Sequence, residues 1–221
     1  MRKLMLTLAL VAAAQPLAAQ GHDHADMDQH VAGGGTLPAG WQARLDRADA
    51  KLADLRFAAM GDGFHATTGP AAILWDPRNT VTGEFSAHAT FTQTKAPMHP
   101  EAYGLFINGG DLSGSGANYM YFLVRGDGKY MVRHRAANGD LHTITDWTES
   151  AAIHRQDADG KATNALTVEG GPWGVRYLIN GTKVGEWLTR DAPYLKTDGQ
   201  VGLRINHNLD VHVSGFGVDR G

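Results

Sequence analysis

The sequence predicts an all-β protein, a two-sheet antiparallel sandwich of the jelly-roll type, and three observations carry that expectation. From residue 55 onward the chain falls into strand-length runs rich in β-branched and aromatic residues and bounded by Gly, Asn, Asp or Pro. Its 28 glycines suit a fold made of turns. Turn residues of hairpin type separate neighbouring runs. Many antiparallel strands joined by short turns imply two packed sheets or a barrel, and the sandwich is the expected solution.

The first nineteen residues, "MRKLMLTLALVAAAQPLAA", open with Arg2 and Lys3, continue with an apolar run from Leu4 to Ala14, and end on the small residues Ala18 and Ala19. This is the layout of a secretory leader, too short to span a bilayer, and it predicts cleavage and delivery to the periplasm or the exterior of a bacterial cell. Residues 20–40, "QGHDHADMDQHVAGGGTLPAG", are polar and rich in Gly and His, and are expected to form a flexible tail. A single domain then covers residues 41–221. Trp41, Leu45, Ala48, Leu52 and Leu55 recur at helical spacing, which predicts a short helix ahead of the first strand.

The strand runs follow: "GEFSAHATFTQT", "EAYGLFING", "NYMYFLVRG", "KYMVRHR", "LHTITDW", "NALTVEG", "WGVRYLIN" and "GQVGLRIN". Gly126-Asp127-Gly128, Asn138-Gly139 and Asn180-Gly181 mark three hairpins. Asn-Gly supplies the two positive-φ residues of a type I′ turn. No cysteine is present, which excludes a disulfide scaffold, a thiol-linked lipid and a thiol-linked haem, and leaves stability to an apolar core. The net charge is −3, and loss of Arg2 and Lys3 with the leader makes it more negative. Nucleic acid and anionic membrane are not the partners such a balance predicts, and no membrane insertion is expected.

Register turns the hairpins into a surface. Across residues 126–128, Arg125 should oppose Lys129, Leu123 Met131, Tyr121 Arg133 and Tyr119 Arg135. Across Asn138-Gly139, Arg135 should oppose His142, Arg133 Ile144 and Met131 Asp146. Met120, Phe122, Val124, Tyr130 and Val132 then line a core, and the opposite face carries Tyr119, Tyr121, Arg133, Arg135, His142 and Asp146. Flat rings stack on sugar faces, and guanidinium forks bond hydroxyls or carboxylates. The same residues could instead form cation–π pairs that only stabilise the sheet.

The runs "FHATTGPAAILW", "HPEAYGLFINGGDL", "YMYFLVRGDGKYMVRHR", "NALTVEG", "YLINGTKVGEW" and "GLRINHNLDVHVSGFGV" resemble the concanavalin A-like lectin/glucanase superfamily, and within it the 3-keto-disaccharide hydrolase-like domains. The resemblance covers roughly residues 55 to 219. It implies that any glycan lies on the concave sheet, and that a structural calcium could sit on a loop. No other cofactor is expected.

In "MHPEAYG", His99 and Glu101 are candidates for an acid/base pair, with Asp146 the second carboxylate that glycosidic hydrolysis requires. The E-x-D-x-x-E strand motif of the superfamily's glucanases is absent, which argues against a retaining glucanase. In "INHNLDVHV", Leu209, Val211 and Val213 should face the core and leave Asp210 and His212 on the outer face, two ligands where a structural zinc wants four. His207 falls in a turn, from which it and Arg204 could reach the groove of Tyr121. If the leader is removed after Ala19, the new terminus Gln20-Gly21-His22, with His24 and His30 nearby, offers an amine, amides and an imidazole for a square-planar copper or nickel chelate. Three functions remain open: a glycan-binding module, a glycoside hydrolase acting on keto-disaccharides or glycans, and an interaction domain without a small-molecule site. No phosphate loop, serine elbow or zinc-protease helix is present.

Overall fold

The computed structural model describes residues 27–191 and 195–221. The expected leader, the Gln20-Gly21-His22 terminus and His24 lie outside those residues.

Among the described residues, fourteen strands form two seven-stranded sheets. They are β1 (Gln42–Leu45), β2 (Leu55–Met60), β3 (Gly63–Thr68), β4 (Ala72–Val81), β5 (Phe85–Gln93), β6 (Ala102–Gly110), β7 (Asn118–Arg125), β8 (Lys129–Arg135), β9 (Leu141–Glu149), β10 (Ala162–Gly171), β11 (Gly174–Ile179), β12 (Thr182–Leu188), β13 (Gly199–Ile205) and β14 (Asp210–Arg220). The first sheet runs β1-β4-β13-β6-β7-β8-β9 and the second β12-β11-β10-β5-β14-β3-β2. Both are antiparallel throughout, as a jelly roll requires. Among the described residues no helix is long and apolar enough to cross a membrane.

Alternation assembles the core. In β5, Phe85, Ala87, Ala89 and Phe91 point inward while Ser86, His88 and Thr90 do not. In β7, Met120, Phe122 and Val124 face the opposing sheet, where Phe122 packs 5.3 Å from Tyr177 and 6.1 Å from Trp187, centroid to centroid. Leu209, Val211 and Val213 join the same core.

The Asn180-Gly181 turn has φ of 49° and 76° at its two residues, the type I′ geometry read from the dipeptide. Gly181→Val, which forces a β-branched residue to positive φ, is expected to lower stability by about 1 kcal/mol or more, read as a fall in the chemical unfolding midpoint. The other two loops differ. At 126–128 and 137–139 only the final glycine has positive φ, 93° in both, which makes three-residue loops built on a type I turn. Ala136 N donates to Asp140 O and closes the second at 2.9 Å.

That extra loop residue shifts the register expected across Asn138-Gly139. Arg135 opposes Leu141 and Arg133 opposes Thr143, while His142 pairs with His134. The register across 126–128 matches the sequence reading, with Tyr119 opposite Arg135, Tyr121 opposite Arg133 and Leu123 opposite Met131.

Two further expectations are corrected. The segment expected to be helical forms β1, whose Gln42 to Leu45 pair with Trp75 to Ala72, followed by a single 3-10 turn over Leu52–Asp54. Ladder hydrogen bonds and the seating of Trp41 4.8 Å from both Phe57 and Phe64 outweigh a weak helical period. The part of the 20–40 tail that is described is packed against the sandwich rather than free. Val31 is buried. Gln29 N donates to Asn208 Oδ1 at 2.6 Å and Gln29 Nε2 to Thr68 O at 2.7 Å. Gly35 N donates to Leu55 O at 3.0 Å. Gly34 lies so close that a Cβ would sit 2.4 Å from Ala53 O, so its lack of a side chain permits the docking.

Candidate functional site

The outer face of the first sheet carries a second apolar cluster, separate from the core: Ile73, Trp75, Ala102, Phe106, Leu112, Tyr119, Tyr121, Leu123 and Met131, with Trp147 packed against it. Strand parity explains it, because these residues alternate with the core-facing set on β4, β6, β7 and β8. Above the cluster lies a groove of about 470 Å³. Tyr119, Tyr121, Leu123, Met131, Leu141 and Trp147 form its apolar surface, and Arg44, Asp46, Glu101, Arg125, Arg133, Arg135 and Arg204 its charged one.

Six of the ten nominated residues that are described therefore meet in one place. Tyr119, Tyr121, Arg133, Arg135, Arg204 and Glu101 all line the groove. Tyr121 is only 6 % exposed, so it is floor rather than a free-standing platform, and its replacement would cost stability as well as any binding. Burial pushes the Tyr119 phenol above its ordinary range, which keeps it protonated at neutral pH.

Four nominations do not line the groove. His142 is displaced by the register shift and stacks on His134, ring centroids 5.8 Å apart. Burial, then His142, holds the His134 imidazole below its usual value. Asp146 is exposed, at the β9 irregularity opposite Met131, where its carboxylate accepts the Trp147 amide at 2.8 Å. His99 is exposed in the loop before β6. His207 sits in the β13–β14 turn, and its Nε2 lies 2.8 Å from Glu101 Oε1, so it reaches the groove wall through that carboxylate. Its Nδ1 lies 3.4 Å from Asp28 Oδ1.

Sequence reasoning missed Arg44, Asp46, Leu141 and Trp147. The first two fall in the segment assigned to a helix, and strand alternation in "QARL" would have put Arg44 on an outer face. Leu141 and Trp147 enter because of the register shift and the β9 irregularity. Leu123, Met131 and Arg125 share the parity of Tyr121 and Arg133 and could have been found.

The charges fall into two groups. Arg204 and Asp46 form a fork-to-fork pair, Nη1 to Oδ1 and Nη2 to Oδ2 both at 2.6 Å, with the guanidinium carbon 5.6 Å from the Tyr121 ring centre. Burial works to raise the Asp46 carboxyl, but Arg204, Arg135 and Arg44 together hold it below the ordinary aspartate range. Arg125 is paired with Asp127 and lies 4.3 Å over the Trp147 ring. Arg44, Arg133 and Arg135 have no carboxylate within ion-pair distance among the described residues. Arg44 Nη1 donates to Leu112 O and Gly114 O at 3.1 and 2.5 Å, and Arg135 Nη1 to Ala117 O at 2.5 Å. Arg133 Nε is buried without a partner.

On the other sheet, His65 Nε2 lies 3.0 Å from Asp210 Oδ1, and Thr94 Oγ1 donates to the same oxygen at 2.5 Å. Asp210 thus belongs to a cross-strand polar network, and the His212 ring lies 6.4 Å from that of His65. Among the described residues no group of three or more His, Cys, Asp or Glu side chains is placed to hold a metal ion.

The fold is shared with solved structures at low identity. A carbohydrate-binding module, CBM66, from Bacillus subtilis aligns with a TM-score of 0.60 at 12 % identity, over 81 % of this chain and 95 % of that one. A protein of unknown function with a galectin-like fold, also from Bacillus subtilis, aligns at 0.53 and 13 %, over 81 % and 88 %. The alginate lyase A1-II′ aligns at 0.53 and 12 %, over 82 % and 95 %. No protein-family model and no curated protein matches the chain. The chain therefore shares the two-sheet antiparallel β-sandwich fold of these structures.

Proposed function

We propose that the protein is an exported saccharide-binding module whose ligand lies in the groove on the outer face of the first sheet. One observation carries this reading: an aromatic floor and a wall of arginine forks meet in a single groove large enough for a small saccharide. Rings offer apolar faces to the C–H side of a sugar, while guanidinium groups supply directed donors to its oxygens. The leader-like first nineteen residues support export.

A glycan array probed with the mature protein, with and without added divalent cations, tests the assignment and the expected calcium together. No saccharide retained in either condition would overturn it. Trp147→Ala, at the groove margin, is expected to weaken binding by about 1–2 kcal/mol, roughly five- to thirtyfold in Kd by titration calorimetry.

A second reading, a glycoside hydrolase of the keto-disaccharide hydrolase kind, is favoured by the Glu101–His207 contact on the groove wall. Of the two carboxylates that line the groove, Asp46 has both oxygens engaged by Arg204, so Glu101 has no free carboxylate opposite it. Incubating a retained glycan with the protein separates the readings. Cleavage lost in Glu101→Gln would establish the enzyme, and an intact glycan supports the binding module.

A further inference from the structure

We propose that the saccharide is acidic, carrying a carboxylate that Arg133 and Arg135 receive, with Arg44 adding to the field. This rests on the groove being the saccharide site. The first argument is charge. Five arginines line the groove against two carboxylates. Arg204 is charge-paired with Asp46, though its Nε is buried without a partner, Arg125 is paired with Asp127, and Glu101 is in contact with His207. What remains is Arg44, Arg133 and Arg135, three cations lining the groove with no carboxylate within ion-pair distance among the described residues, although Arg44 and Arg135 act on Asp46 at longer range. Like charges crowded over an apolar floor repel one another, and such an arrangement becomes favourable when a bound anion completes it.

The second argument is hydrogen-bond inventory. A neutral sugar presents hydroxyls that both donate and accept, whereas guanidinium groups accept nothing. A lectin site for neutral sugars wants carboxylates and amides mixed among its donors. Here both carboxylates are already engaged, and the uncharged groups that remain are the Tyr119 and Tyr121 hydroxyls and the Asn206 amide. The charged groups that remain are donors alone: the Arg133 side chain makes no hydrogen bond among the described residues, and its Nε is buried without a partner. Backbone carbonyls of Leu112, Gly114 and Ala117 steer Arg44 and Arg135 without neutralising them. Positioned but uncompensated guanidinium groups suit a ligand that brings acceptors and negative charge together, as the planar carboxylate of a uronic acid does.

The test titrates the mature protein calorimetrically with oligosaccharides of galacturonic, glucuronic, mannuronic and guluronic acid, each beside its carboxyl-reduced neutral counterpart. At least one acidic oligosaccharide is expected to bind about tenfold or more tightly than its reduced form, with affinity falling as salt is raised. Arg133→Met should lose about tenfold or more for the acidic ligand. Arg176→Gln, on the second sheet, should leave affinity unchanged and so exclude general charge attraction. Should Arg133→Met fold poorly by circular dichroism, Arg135→Gln takes its place. Equal affinity for acidic and reduced forms would overturn the acidic assignment and leave the saccharide site standing. Sulfated oligosaccharides binding as tightly as carboxylated ones would overturn the carboxylate specificity. No binding to any saccharide, acidic, sulfated or neutral, would overturn the site itself.

Discussion

Phe122→Ala is expected to cost about 3–5 kcal/mol of stability. Phe122 is fully buried at the centre of β7 and touches the ring clusters of the opposing sheet through Tyr177 and Trp187. Truncation removes the transfer free energy of a benzyl group and leaves a cavity that two rigid sheets cannot collapse to fill. Urea unfolding monitored by tryptophan fluorescence reads the loss as a lowered midpoint at an unchanged slope. Groove binding, where the protein remains folded, should persist, because Phe122 points away from Tyr121. A drop below about 1 kcal/mol would mean that the sheets repack around the site.

Asp46→Ala is the second large effect. Removing one partner of a buried ion pair costs about 3–5 kcal/mol, and the expected loss here is lower, about 2–3 kcal/mol, because the Asp46 side chain remains partly solvated. That side chain is 42 % exposed against 9 % for Arg204, so the penalty falls on the arginine left buried over Tyr121. Replacing both residues, Asp46→Leu with Arg204→Met, should recover most of the stability, since neither charge is then stranded. The pH dependence has a definite sign. The Asp46 carboxyl is held below its unfolded value, so its contribution is present at neutral pH and is lost as the pH falls through the ordinary aspartate value, about 3.9, and below. The wild-type protein should lose more stability than Asp46→Ala over that acid interval.

How far the site was legible depended on which step each residue required. Tyr119, Tyr121, Arg133 and Arg135 needed only strand parity and one correctly read three-residue loop, and all four line the groove. His142 and Asp146 needed the next loop as well. There Asn138-Gly139 closes as a three-residue loop rather than a two-residue one, which slips Leu141 to Thr143 by one position along β8, and two irregularities further along β9 change the register again around Asp146. Arg44 and Asp46 were missed for a different reason. A four-residue edge strand has little periodicity of its own, and the ladder with β4 decides its conformation. Gln29 and Val31, in a stretch with the composition of a linker, are held by Asn208, Thr68 and neighbouring strands, which no local pattern announces.

By itself the sequence determined the all-β class, the type I′ turn at Asn180-Gly181, and the inward set of Met120, Phe122 and Val124. These follow from alternation and turn chemistry within a few residues, where sterics and side-chain periodicity suffice. Only the tertiary structure decided which charges are paired. Asp46 meets Arg204 across 158 positions of chain, and Glu101 meets His207 across 106, while Arg44, Arg133 and Arg135 are left without a carboxylate. Pairing of that kind is set by which strands lie side by side in the sheet. A residue's charge is written in its name, but its neutralisation depends on neighbours that the chain brings together only when both sheets have formed.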